Sequence, residues 1–394
     1  MKAIFLDNNS TTQLDPAVLE SMLPWFSTPA NASSEHAFGH KAKEAVECAR
    51  EQVADLVGAA AREVVFTSGA TEANNLALLG FFGALRERGG CLLTSEGEHR
   101  AVLDPATELE RLGTTVVRLP LRATGIPEFA DYCKALNGSQ NAFPPKSQLV
   151  SLMHANNETG VVLPLQKFAE KAAEAGVLFH TDATQSAGKL PLDMKLTPVD
   201  LLSLSAHKLH GPMGIGALIV KQRSPRIRLK SLQFGGGQEF SLRSGTLNVP
   251  AIVGFGKAAE LAKANLGREA QTLSALRNQL QQQLISGIAD AELNGSPELR
   301  LPNTLNLFIP TVQASALVAH VEGVGFSSGS ACSASTPEPS HVLRSMFQQI
   351  GEDEAEDRAR CSIRLAVSRF TTQEEINNAA ALIISGVKHL RQML

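Results

Sequence analysis

The sequence predicts an α/β protein: a large domain with a mostly parallel sheet covered by helices on both faces, and a smaller α+β domain. Three observations carry this. Between residues 16 and 266, short apolar runs alternate with helical patterns, as a sheet needing cover on both faces requires. From residue 267 the pattern changes to amphipathic helices with isolated strands. With 394 residues, 43% apolar and 19% charged, the chain has the length and composition for two globular domains.

In order, IFLDN at Ile4 reads as a short strand that joins the smaller domain, formed by residues 1–15 and 267–394. HKAKEAVECAREQVADLVG reads as a helix. Strand-like runs follow at residues 63–68, 91–95, 114–120, 148–154, 177–183, 201–206 and 216–221. LPLQKFAEKAAEAG is a helix closed by Gly176. NGSQNAFPPKSQ, residues 137–148, reads as a surface loop. Beyond 266, EAQTLSALRNQLQQQLISGI is a long amphipathic helix, TLNLFIP a strand and ASALVAHVEGVG a helix. SIRLAVSRF is a strand, and a final helix opens on the capping-box pattern TTQEE. No internal repeat is present.

A formal net charge of −3 leaves no electrostatic footprint for nucleic acid or a membrane. The N-terminus has no signal-peptide pattern, and no apolar run reaches the roughly 18 residues that span a bilayer. A cytoplasmic location is the expectation. Five cysteines, widely spaced and without a C-x-x-C pair, exclude a disulfide framework and a structural zinc site; no metal is expected. Cys48, Cys91, Cys133 and Cys361 lie in helix-like or strand-like runs and read as inert buried thiols. Cys332, in SSGSACSAS, is set among small polar residues, as on an exposed loop.

Candidate chemistry collects where predicted strands end, which is where parallel sheets bind ligands. In SLSAHKLHGPMGIGALIV, Lys208 follows an apolar strand and precedes Gly211, Gly214 and Gly216. A lysine so enclosed suits an imine-forming amine. Ser205 and His207 beside it either satisfy the backbone or contact a phosphate. FTSGATEANNLAL is a strand, a small-residue turn and a helix, whose Ser68, Gly69, Ala70 and Thr71 suit an anion. Asp182, ending VLFHTDA, either caps a turn or pairs with a protonated pyridine nitrogen, with Gln185 near the ring hydroxyl. Asn156 and Asn157 either cap a turn or hydrogen-bond a cofactor or substrate. His99 is either structural or a ring-stacking acid/base. Arg364, on a strand, needs an anion: an internal carboxylate or a substrate's. Arg243 contacts phosphate or lies on the surface. A lysine, a strand-end carboxylate and a loop cysteine together suggest pyridoxal phosphate (PLP) chemistry followed by thiol attack.

From IFLDNNSTT at Ile4 to RFTTQEEI at Ile376, the chain resembles the group I cysteine desulfurases of the class V aminotransferase family, with PLP fold type I. The motifs are FTSGATEANNLAL, EHRAVLD, NNETGVVLP, HTDATQSAGK, SAHKLHGPMGIGAL, GGGQEFSLRSGTLNV, SSGSACSAS and SHVLRSM. The resemblance implies conversion of L-cysteine to L-alanine, with sulfur carried as a persulfide on Cys332. It implies Lys208 as the lysine that binds pyridoxal 5'-phosphate, Asp182 as partner of the pyridine nitrogen and Gln185 of the ring hydroxyl. His99 would stack on the ring, with Asn156 beside cofactor and substrate. Ala70, Thr71, Ser205 and His207 would surround the phosphate, joined by Thr246 from the neighbouring subunit of a homodimer. Arg364 would clamp the substrate carboxylate. The expected partner is a sulfur-acceptor protein, such as an iron–sulfur scaffold or a thiolation factor. Phe234 and Phe240 depart from the family pattern, which often has histidine and a basic residue there. A selenocysteine lyase or an aminotransferase of the same fold is the alternative, though an aminotransferase needs no thiol at Cys332. A non-catalytic relay subunit would be expected to lose Lys208 or Asp182.

Overall fold

In the computed structural model, which describes residues 3–85, 89–328 and 339–393, each of the seven strand-like runs of the large domain forms a strand. Among the described residues the strands are β1 (Ile4–Phe5), β2 (Val64–Thr67), β3 (Cys91–Ser95), β4 (Thr115–Leu119), β5 (Gln148–Ser151) and β6 (Leu178–Asp182). They continue as β7 (Leu201–Ser205), β8 (Gly216–Val220), β9 (Glu292–Leu293), β10 (Thr304–Phe308), β11 (Val324–Gly325) and β12 (Ser362–Ala366). The main sheet runs β2-β8-β7-β6-β5-β3-β4. Every adjacent pair is parallel except the two made by β8. The carboxyl ends of β2, β3, β5, β6 and β7 therefore open at one edge.

Alternation along each strand divides the sheet between two apolar layers. Val64, Phe66, Leu93, Val150, Phe179, Leu202, Leu204, Ala217 and Ile219 face a core shared with helices Pro16–Ser27, Ala37–Leu56 and Val249–Gly287. Val65, Leu92, Leu149, Leu201 and Leu218 face the opposite layer, under helices Ala70–Gly83 and Arg100–Arg111. This is the two-faced cover that the near-continuous apolar strands call for.

A further apolar cluster joins Ile4 and Leu6 to Leu273, Leu280, Leu305, Ile363 and Ile376. Here β10 lies antiparallel between β9 and β12, and β1 pairs parallel with β11. Helix Val249–Gly287 runs unbroken through 39 residues. Its first part, to Ala262, is buried in the first core, and its last part, from Leu273, in the other. Residue 266 lies in this helix between the two sets. Helix Gln373–Gln392 opens on the expected capping box of Thr372 and Glu375, and Gly176 (φ +69°) follows helix Leu165–Glu174.

Three local expectations are corrected. Residues 137–142 are not loop but the end of helix Phe129–Ala142. Buried Tyr132 and Leu136 anchor it, and the Ser139 hydroxyl donates to Gln148 Oε1, which holds its last turn to β5. The helix at 314 stops at His320, and after a turn the last two residues of that run form β11. Cys48 is exposed, because its neighbours Val46, Ala49 and Val53 take the buried face of the helix. Cys91 and Cys361 are buried, and burial pushes both thiols up, Cys361 to about 12.

Candidate active site

The open edge of the main sheet holds a cleft of about 490 Å³. From β2 the chain turns through Ser68 and Gly69 into helix Ala70–Gly83, whose N-terminus has no side-chain cap. Ala70 and Thr71 line the cleft at this turn. Close approach of backbone shapes it. A Cβ on Gly216 would lie 2.5 Å from the Leu204 carbonyl oxygen and 2.7 Å from Gly69, so only glycine lets β8 pass there. Ser205 also lines the cleft and points its hydroxyl toward the Gly69 turn. His207 shares a 3.1 Å hydrogen bond between Nδ1 and the Thr11 hydroxyl. Burial lowers its pKa to about 4, so the ring is neutral at pH 7.

Lys208 ends the short helical turn after β7. Its Nζ donates to the carbonyls of Asn9, at 2.5 Å, and Ser10, at 2.6 Å. Asp182, at the end of β6, is fixed at both oxygens. Oδ1 accepts from Thr184 N (2.9 Å) and Oδ2 from Asn74 Nδ2 (2.7 Å). The turn-capping role and a cleft-facing role thus coexist. Gln185 donates from Nε2 to Asn9 O. His99 caps helix Arg100–Arg111 by accepting from Ala101 N at Nδ1. Nδ1 is thereby an acceptor, which leaves the proton on Nε2, and burial lowers the ring's pKa further.

The remaining expected residues lie elsewhere. Asn156 sits behind the cleft wall. Its Oδ1 accepts from Glu158 N, Thr159 N and the Thr159 hydroxyl, while Nδ2 donates to Gly97 O. Asn157 lines the cleft in its place. Arg364 is 1% exposed and pairs with Asp7 (2.6 Å) while donating to Asn157 O, so it has found the internal carboxylate. Arg243 pairs with Glu72. Thr246 is exposed and does not line the cleft. Cys332 falls outside the described residues.

Residue-by-residue reasoning passed over Asn9, Ser10, Asn74 and Glu98. Glu98, beside His99, accepts from Ser95 and Met153 N, and burial raises its pKa to about 8.

Among the described residues, three buried polar atoms have no hydrogen-bond partner and belong to residues lining the cleft: Asn74 Oδ1, Thr184 Oγ1 and Gln185 Oε1. Unmet hydrogen-bonding capacity of this kind is costly unless a ligand meets it. With the Asp182 carboxylate among them and the bare helix N-terminus opposite, they fit a flat polar ring that carries an anionic group.

Comparison with known proteins agrees. Residues 4–378 match the model of the class-V aminotransferase family. The cysteine desulfurase IscS of Anaeromyxobacter sp. (strain Fw109-5) is 48% identical over 392 residues, covering 99% of this chain and 94% of that protein. This chain is a member of the cysteine desulfurases in the class-V aminotransferase family. The mouse cysteine desulfurase is 41% identical, covering 100% of this chain and 83% of that protein. A solved NifS-like protein superposes with a TM-score of 0.87 at 31% identity over the whole of both chains. A structure of SspA in complex with cysteine gives 0.78 at 35% identity, covering 94% of this chain and all of that one. The cysteine desulfurases are PLP-dependent, and the fold is PLP fold type I.

Proposed function

We propose that this protein converts L-cysteine to L-alanine and passes the sulfur, as a persulfide on Cys332, to an acceptor protein. The observation that carries this is the convergence of Lys208, Asp182 and the three unpartnered polar atoms in one cleft. When bound, pyridoxal phosphate supplies an electron sink for electrons released at the substrate α-carbon.

The protein's part is positioning and proton handling. Lys208 would hold the cofactor and exchange the α-proton at Nζ. Asp182, pinned at both oxygens, would set its carboxylate against the ring nitrogen. Gln185 Oε1 and Asn74 Oδ1 would meet polar atoms of the ring. His99 would offer its Nε2 proton. Ala70, Thr71, Ser205 and His207 would take the phosphate at the helix N-terminus. In the overall exchange the Cβ–S bond of cysteine breaks, Cβ gains a proton, and the sulfur forms an S–S bond with the Cys332 thiol. Arg364 belongs to substrate binding in this scheme, whereas the expected part of Asn156 is not proposed, since its amide is taken by Gly97 O and its own turn. The fork of Arg364 still has N–H groups beyond those bonded to Asp7 and Asn157 O.

Exposure of Thr246 away from its own cleft supports a homodimer in which it reaches the partner's phosphate site. The two apolar clusters that meet along helix Val249–Gly287 support a large domain of residues 16–266 and a small one of 1–15 with 267–394.

Lys208→Ala is expected to abolish the visible absorbance of bound cofactor; a normal spectrum would refute the site. Cys332→Ser should keep that absorbance but make no persulfide. Mass spectrometry after incubation with L-cysteine should add one sulfur atom to the Cys332 peptide, with alanine formed in parallel. Alanine without that increment would count against Cys332 as the carrier.

A further inference from the structure

Lys189 follows the turn after β6, and none of the roles above employs it. Its side chain is buried, and its ammonium donates to two backbone carbonyls, Gln185 O (3.0 Å) and Lys208 O (3.2 Å). The first contact lies within its own turn; the second crosses to the turn after β7. One carbonyl belongs to the residue whose Oε1 has no partner, the other to the residue whose Nζ reaches Asn9 and Ser10.

No carboxylate among the described residues bonds Lys189, and an ammonium buried so is costly. Burial first, and then the Lys208 amine, lower its pKa to about 7. Arg369 acts in the same direction and Glu269 against it, while His207 and His210 also face this charge. An apolar side chain of equal length would fill the space without that cost, so packing does not account for a lysine here.

We propose that Lys189 is a positioning residue for Lys208, tying the Lys208 turn to the Gln185 turn. This rests on Lys208 being the lysine that binds the cofactor. The tie sets two cleft-facing side chains in one frame.

The test uses the holoenzyme and follows the visible absorbance of bound pyridoxal phosphate. Lys189→Met keeps the length but removes charge and donors. Lys189→Gln removes the charge and keeps neutral donors, and it carries the test should the methionine variant fail to fold. Without the tie Lys208 and Gln185 lose their common frame, so the absorbance band should shift or weaken, and cofactor release should quicken roughly tenfold in Lys189→Met. A wild-type band and release rate in Lys189→Met, or in Lys189→Gln where only that variant folds, overturn the proposal, whatever the melting temperatures. Wild-type absorbance in Lys208→Ala would instead overturn the assignment of Lys208.

Discussion

Asn74 holds Asp182 with one arm of its amide and leaves the other arm over the cleft. It is fully buried in helix Ala70–Gly83, and its 2.7 Å bond goes to a carboxylate, the stronger kind of hydrogen bond. Asn74→Leu keeps the volume but lets the carboxylate turn, so kcat should fall roughly 10- to 100-fold. The cofactor should stay bound, with its absorbance intact; an unchanged kcat would remove Asn74 from the machinery. Asp182, His99 and Lys208 are legible in the sequence because each is polar at or just beyond the end of an apolar run. Asn74 lacks that mark, since an amide within a helix is ordinarily on the solvent side. The acceptors for Lys208 are backbone carbonyls at Asn9 and Ser10, which no side-chain pattern announces. Asn156 shows the converse: a conspicuous position whose amide is spent on folding its own turn.

Strands β5 and β6 are joined near their open ends by buried imidazoles. His180 in β6 bonds Ser151 of β5 through Nδ1 and Ser203 of β7 through Nε2, and burial holds it neutral. His154, just beyond β5, bonds the Ser186 hydroxyl, and burial lowers its pKa from 6.5 to about 4. A folded-state pKa below the unfolded one means that the stability His154 contributes is complete above pH 6.5 and is lost as pH falls toward 4. His154→Gln cannot take up that proton. Urea unfolding at pH 7 and pH 5 should show a slope with pH reduced by up to one proton per chain, and an identical slope would contradict the assignment. Strand positions were legible because the sheet is buried on both faces and its strands are short apolar runs. The reversed direction of β8 is not written in its composition. It follows from the ten residues, 206–215, between β7 and β8, too short a connection for the crossover that a parallel pair requires. The helical turn at 137–142 was hidden by residues that favour loops, and buried Tyr132 and Leu136, with the Ser139 bond to Gln148, explain it.

As a whole, the chain exposes Phe234 (78%) and Phe240 (50%) on the segment that leads to Thr246. Exposed aromatics beside a threonine that misses its own cleft suit a surface covered by a second copy of the chain. A two-fold interface presents each residue twice, so Phe234→Asp should weaken the proposed dimer roughly 10- to 100-fold by sedimentation. It should also loosen cofactor retention at low protein concentration. A dimer of wild-type affinity would place the interface elsewhere.

The residues that catch Lys208 are held in part by the far end of the chain. Asn8 bonds the Ala366 carbonyl, 358 positions away, and the next two residues supply the acceptors for Lys208. On a ribosome making about 5–20 residues per second, this opening segment emerges first and waits tens of seconds for β12 to be made. The lining of the cleft ends at Gly214, so all of it is made before β12. A nascent chain that stalls before β12 therefore has every lining residue but lacks the strand that holds Asn8, and with it one tether of the two carbonyls that Lys208 meets.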